Sequence, residues 1–167
     1  EKIDVRYRPF SHLSRRTIGF VNENGNGAGL EYSFEKDLGG QDGEALFQKI
    51  AGGAWKPVFD ANNIKAVDGM DIQTTLDINL QDVAETALYD AMKGHDADEG
   101  TVVVMEVKTG EIKAISNLSR DGGDYVEKFN HAIGGSFEPG STYKLVTMMA
   151  LLEETGVKLN DMIETGN

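Results

Sequence analysis

Between Asp77 and Ser116 the apolar residues change their period, and that change limits the fold more than any other feature of the chain. From Ile78 to Met92 they recur every three or four positions, so Leu80, Val83, Ala84, Ala87, Leu88 and Ala91 form one helical stripe. Asp77 is placed to cap that helix and Gly94 to end it. Thr101 to Val107 then reads as a strand, and its run Val102-Val103-Val104-Met105 predicts burial on both faces. Lys108-Thr109-Gly110 supplies a turn, and Glu111 to Ser116 returns as an antiparallel partner. Asp71 to Leu76, with its β-branched residues, predicts a further strand ahead of the helix. A helix apolar on one side and a hairpin both need cover, so packing one on the other predicts an α+β fold.

The first third is glycine-rich and irregular. Thr17 to Val21 reads as a short strand and Asn22 to Gly29 as a loop. Gly25-x-Gly27 after a strand has the outline of a dinucleotide-binding turn, but Leu30 stands where that pattern needs a third glycine. A flexible turn is the better reading. Asp42 to Ala51 predicts a short helix with Ala45, Leu46 and Ile50 on its apolar side and Gly52-Gly53 as its stop. Trp55, Val58 and Phe59 are expected in a core or between domains. Ala61 to Asp68 is a polar connection, which puts a domain boundary near Gly69. The domains are therefore residues 1–68 and 69–167.

A second helix follows Pro139-Gly140. Leu145, Met148, Met149 and Leu152 recur at helical spacing, and Gly156 marks the end. Ser141 is expected at or beside the N-terminus as its cap, with Lys144 one turn further on the same face. A serine hydroxyl needs a base before it attacks a carbonyl. A neutral lysine amine serves, and the helix N-terminus favours a developing oxyanion. Ser-x-x-Lys is thus a compact nucleophile and base. The pattern alone is weak, with on the order of half a match expected by chance in a chain of this size. Ser33-Phe34-Glu35-Lys36 also fits it, yet lies in a charged segment with no apolar stripe behind it. The competing reading makes Ser141 a helix cap in an interaction module.

With 16 basic and 28 acidic residues the net charge is −12, which argues against nucleic acid and against anionic lipid surfaces as partners. There is no cysteine, so disulfides and thiolate metal sites are excluded. His12, His95 and His131 are isolated from one another, and Asp96 to Gly100 lacks the spacing of a calcium loop. No metal and no organic cofactor is expected. The longest apolar runs are too short to span a bilayer, and no signal peptide is visible. The chain reads as a piece of a longer one.

Ser136-Phe137-Glu138-Pro139-Gly140-Ser141-Thr142-Tyr143-Lys144 closely resembles the nucleophile motif of class B penicillin-binding proteins, the monofunctional peptidoglycan transpeptidases. Upstream, Thr75-Leu76-Asp77, Leu80-Gln81, Lys108 to Ile112, Ala114, Asn130 and Ala132 resemble the opening of their transpeptidase domain. Thr17 to Gly43, with Gly29-Leu30-Glu31, is similar to their pedestal motif. In the family that glutamate helps tie the pedestal together; a solvated charge is the competing reading here.

The resemblance implies an irregular β-rich pedestal segment followed by an incomplete transpeptidase domain, a hairpin with flanking helices. It implies Ser141 as nucleophile and Lys144 as base in acyl transfer from D-Ala-D-Ala stem peptides, with β-lactams acylating the same serine. Lys108-Thr109-Gly110 is not the family's substrate-binding Lys-Thr-Gly, which lies far downstream of the serine. No Ser-x-Asn follows Lys144 either, so the chain alone is expected to be inactive or nearly so. Serine β-lactamases and β-lactam sensors share the serine motif but not the pedestal-like third. The resemblance also implies an upstream membrane anchor, a site outside the cytoplasmic membrane, and other cell-wall synthesis or division proteins as partners. Leu38 to Gly43 leans towards the division type. Uncovered strand edges and apolar helix faces predict a homo-oligomer. The Gly- and Asp-rich stretch Leu118 to Asn130 is expected to be a mobile loop.

Overall fold

The computed structural model describes residues 6–58, 63–162, 164 and 166. The chain divides into two compact units, Glu1–Gly134 and Gly135–Asn167. The stretch around Gly69 lies inside the first.

The core of the first unit is an α+β layer. Helix α4 (Ile78–His95) lies against a three-stranded antiparallel sheet of β5 (Glu99–Met105), β6 (Ile112–Asp121) and β7 (Asp124–Val126), in the order β5-β6-β7. Asp77 caps the helix as expected, its carboxylate accepting from Asn79 N–H at 2.8 Å and Leu80 N–H at 3.1 Å. The helix runs on through Gly94 and ends at Asp96, which takes a left-handed φ of 51°.

The buried face of α4 is not the expected stripe. Gln81, Ala84, Glu85, Leu88 and Met92 are buried, whereas Leu80 and Val83 are exposed. The Gln81 side-chain amide sets this rotation. It donates to Ile115 C=O at 2.8 Å and accepts from Ile115 N–H at 2.9 Å, taking the place of a neighbouring strand on the open edge of β6. Thr75 Oγ1 and Asp77 N–H cover the same edge by donating to Ile112 C=O at 2.7 Å and Lys113 C=O at 2.8 Å. Residues 71–76 do not form the expected strand.

Strand β5 pairs with β6 from Glu99↔Ser119 to Met105↔Ile112, around the expected turn at Lys108-Thr109-Gly110. Gly110 closes that turn with φ 75° and donates its N–H to Glu106 C=O at 2.8 Å. Burial along β5 alternates, with Val103 and Met105 exposed, so only one of its faces is covered. Leu88, Met92 and Leu118 form the apolar centre, with Tyr89, Val102 and Tyr125 packed around it. Gly100 permits the close approach of the helix: a Cβ there would meet Leu88 Cδ1 and Met92 Sδ at 2.9 Å. Leu118 to Asn130 is mostly hairpin rather than loop, because β6 continues to Asp121 and β7 returns after Gly122-Gly123.

The glycine-rich third is also more ordered than expected. Arg15–Ile18 forms a single turn, α1, so the strand expected from Thr17 shrinks to β1 (Phe20–Val21). The expected loop is a tight hairpin closed by β2 (Gly27–Ala28), and short helices α2 (Gly29–Ser33) and α3 (Glu35–Leu38) follow.

Asp42 to Ala51 is not helical. β3 (Phe47–Lys49) pairs antiparallel with β4 (Trp55–Pro57), and isolated bridges Glu44↔Ile64 and Gln41↔Val67 extend the ribbon. Gly52 and Gly53, with φ of 96° and 86°, form the hairpin turn instead of ending a helix. Trp55 and Val58 are exposed on this ribbon, not in a core; Phe59 lies outside the described residues.

The second unit contains a 3₁₀ turn, Gly140–Tyr143, leading directly into α6 (Lys144–Glu154).

Candidate functional site

Ser141 stands in the 3₁₀ turn and Lys144 is the first residue of α6, so both lie at the N-terminal entrance of one helix. The local sequence dictates the turn. Gly140 has φ 54°, a conformation that side-chain-bearing residues rarely adopt, and Pro139 has φ −69°. Thr142 folds its hydroxyl back onto Pro139 C=O, and Lys144 N–H donates to Ser141 C=O. The expected capping role of Ser141 is not found: its side chain makes no cap hydrogen bond, and Pro139 occupies the cap position of the turn. Among the described residues its hydroxyl makes no hydrogen bond.

The side-chain hydrogen bonds at this entrance belong to Thr142 and Thr147, and none joins Ser141 to Lys144. Both residues are exposed. A lysine that acts as base is favoured by burial or a nearby cation. The turn therefore supplies the backbone arrangement for Ser-x-x-Lys chemistry but not the desolvation. Along α6, Leu145, Met148 and Met149 are exposed as well.

Two ion-pair clusters stand in the first unit. Arg6 donates to Glu31 with both terminal nitrogens, one at 2.7 Å, and to Gly19 C=O at 3.0 Å. Glu31 is thus a tie between the N-terminal segment, the β1 hairpin and α2. Asp96 and Asp98, in the loop with calcium-site flavour, hold Arg120 at 2.7 and 2.8 Å.

A polar cluster that the sequence did not announce lies beside α4. Burial pushes the Glu85 carboxyl above its usual range, against the opposing pull of His12 3.4 Å away. Burial likewise raises Glu127, although it accepts from Arg16 N–H at 2.9 Å and from the Asn117 amide at 3.4 Å. Arg16 Nε also donates to Glu127 C=O at 3.3 Å, which fastens α1 to the chain after β7. The signal available in the sequence was Gln81, a polar residue one position off an apolar stripe.

His131, Ser119 and Glu99 come together in the order of a serine triad. Ser119 Oγ is 2.9 Å from His131 Nε2, and Glu99 Oε2 is 3.6 Å from His131 Nδ1. The serine is buried on the sheet and the imidazole is held edge-on by Phe129, with ring centroids 5.2 Å apart. The Ser119–His131 contact staples α5 (His131–Gly134) to β6. Ala132 N–H, donating to the fully buried Asn117 at 3.0 Å, is part of the same staple.

Residues 100–167, which include Ser141 and Lys144, match the family described as the penicillin binding protein transpeptidase domain. The chain is 34% identical to the probable peptidoglycan D,D-transpeptidase PenA of Neisseria meningitidis, over 99% of this chain and 30% of that protein. It is 32% identical to stage V sporulation protein D of Bacillus subtilis, over 93% of this chain and 25% of that protein. It is 30% identical to the peptidoglycan D,D-transpeptidase FtsI of Escherichia coli, over 96% and 28%. The crystal structure of penicillin binding protein 2X from Streptococcus thermophilus superposes with a TM-score of 0.61 at 24% identity, covering 93% of this chain and 26% of that one. This last likeness concerns the fold. The chain thus spans 30% or less of the length of these relatives.

Proposed function

We propose that this chain, which belongs to the penicillin-binding protein transpeptidase family, carries the nucleophile and base of a peptidoglycan D,D-transpeptidase. The observation that supports this is the placement of Ser141 in the 3₁₀ turn that leads into α6 and of Lys144 at the first position of α6, with the serine side chain not used as a helix cap. Lys144, once neutral, takes the proton from Ser141 Oγ as the oxygen attacks the penultimate D-alanine carbonyl of a stem peptide. The tetrahedral oxyanion is stabilised in part by the Ser141 N–H at the positive end of the helix. Collapse breaks the peptide bond, the departing D-alanine amine takes a proton from the Lys144 ammonium, and an acyl-serine remains. The amine of a second stem peptide then attacks the ester, forms the cross-link and returns the serine. β-Lactams acylate the same hydroxyl.

Residues 1–68 serve as part of a pedestal and residues 69–167 as the first part of the transpeptidase domain. The whole protein acts on the outer face of the cytoplasmic membrane among other wall-synthesis proteins, in division by the lean of Leu38 to Gly43. Among the described residues no helix is long and apolar enough to cross a membrane. Because Lys144 is exposed here, the chain alone is expected to acylate slowly, and desolvation must come from further parts of the protein. The test is labelling by a fluorescent penicillin of the chain extended to the length of its relatives. Labelling that disappears in Ser141→Ala supports the assignment; labelling that survives it refutes it.

A further inference from the structure

The β3–β4 ribbon ends in a turn of unusual composition. Connections exposed to water are ordinarily built from Gly, Asn, Asp, Ser and Pro. This one reads Ile50-Ala51-Gly52-Gly53-Ala54 and carries no polar side chain. A Cβ built on Gly52 or Gly53 would meet nothing within 4 Å, so the tip stands in open space. Phe47 and Trp55 flank it, 55% and 63% exposed, and Ile50 at the tip is 44% exposed. Behind the apolar tip stand two cations. Lys49 is paired across the ribbon with Trp55, its ammonium 5.8 Å from the indole centroid, and Lys56 is paired with Gln48. From Ala45 to Val58 there are two lysines and no acidic residue, in a chain of net charge −12. The charge that argues against lipid binding by the chain as a whole is therefore absent from this arm.

We propose that the tip of the β3–β4 ribbon docks on an anionic lipid bilayer, with Ile50 and Trp55 entering the interface and Lys49 and Lys56 meeting the headgroups. Tryptophan favours the boundary where one end of the ring is apolar and the other wet. Lysines let their stems follow apolar surface while the charge stays with the headgroups. At about 0.1 M salt the Debye length is roughly 10 Å, so repulsion between the bilayer and acidic groups further away is damped. The inference rests on the ribbon alone and stands apart from the chemistry of Ser141.

Trp55 is the single tryptophan of the chain, so emission excited selectively from tryptophan reports on this tip. The chain is titrated with vesicles of equal parts phosphatidylglycerol and phosphatidylcholine, and in parallel with phosphatidylcholine alone. The expected result is a blue shift of Trp55 emission with the mixed vesicles, quenching by brominated lipid, and little change with phosphatidylcholine. Lys49→Gln with Lys56→Gln is expected to weaken binding about thirtyfold, roughly fivefold for each lysine. Ile50→Asp is expected to abolish the shift; since all three positions are exposed, circular dichroism of the variants should match the parent. Absence of a shift with mixed vesicles overturns the proposal. So does a shift that depends on protein concentration without lipid, which identifies a second copy as the occupant, or one that the lysine variant leaves unchanged.

Discussion

Gln81→Met tests which side of α4 holds the fold together. The Gln81 amide is almost fully buried, at 1% exposure, and makes two hydrogen bonds to the backbone of the buried Ile115. Methionine fills a similar volume but leaves Ile115 N–H and C=O without partners. Each orphaned backbone group costs about 1–3 kcal/mol, so the loss should be near 3 kcal/mol after the extra apolar burial is allowed for. For a chain of this size that lowers Tm by roughly 6–12 °C. Urea unfolding followed by circular dichroism should give a lower midpoint with an unchanged slope. Leu80→Ala is the comparison, because Leu80 belongs to the stripe expected from sequence yet is 42% exposed. It should cost under about 1.5 kcal/mol, below the range for fully buried leucines. If Leu80→Ala proves more damaging than Gln81→Met, the helix packs on its leucine face and the account of the sheet edge fails.

Because burial raises the carboxyls of Glu85 and Glu127, the folded chain holds their protons more tightly than the unfolded one. Their contribution to stability therefore falls as pH rises from the ordinary glutamate value of 4.5 through the raised folded value, and is level above it. Glu85→Gln should grow more stable relative to the parent across that window; a difference in Tm that does not change with pH contradicts the reading. Gly100→Ala places a Cβ 2.9 Å from the ends of Leu88 and Met92, which are flexible, so thermal unfolding should show a loss of about 1–2 kcal/mol. Arg6→Ala breaks a partly exposed pair with Glu31 and should cost no more than about 1 kcal/mol, measured by the same assay and less at high salt.

The parts legible in the sequence are those fixed by near neighbours. Asp77 is followed by free N–H groups and caps whatever packs above it. Lys108-Thr109-Gly110 makes its turn because Gly110 reaches φ 75° without strain. Pro139-Gly140 likewise brings Ser141 and Lys144 to a helix entrance. What the sequence hid depends on distant partners. The face of α4 turns on a hydrogen bond 34 positions away, so counting apolar residues selected the wrong stripe. Leu46, Phe47 and Ile50 suit a helix or a ribbon equally, and cross-strand pairing with Trp55 to Pro57 decides it. The surroundings of Lys144 belong to the same class, since local spacing sets Ser141 and Lys144 at one helix entrance but does not bury the amine.

The most direct measurement is the site and rate of acylation by penicillin in the chain extended to the length of its relatives. The adduct should map to the peptide bearing Ser141, and Lys144→Met should slow its formation by at least two orders of magnitude while circular dichroism shows the fold retained. An adduct at another residue, or one that forms as fast without the Lys144 amine, would contradict the assignment of nucleophile and base.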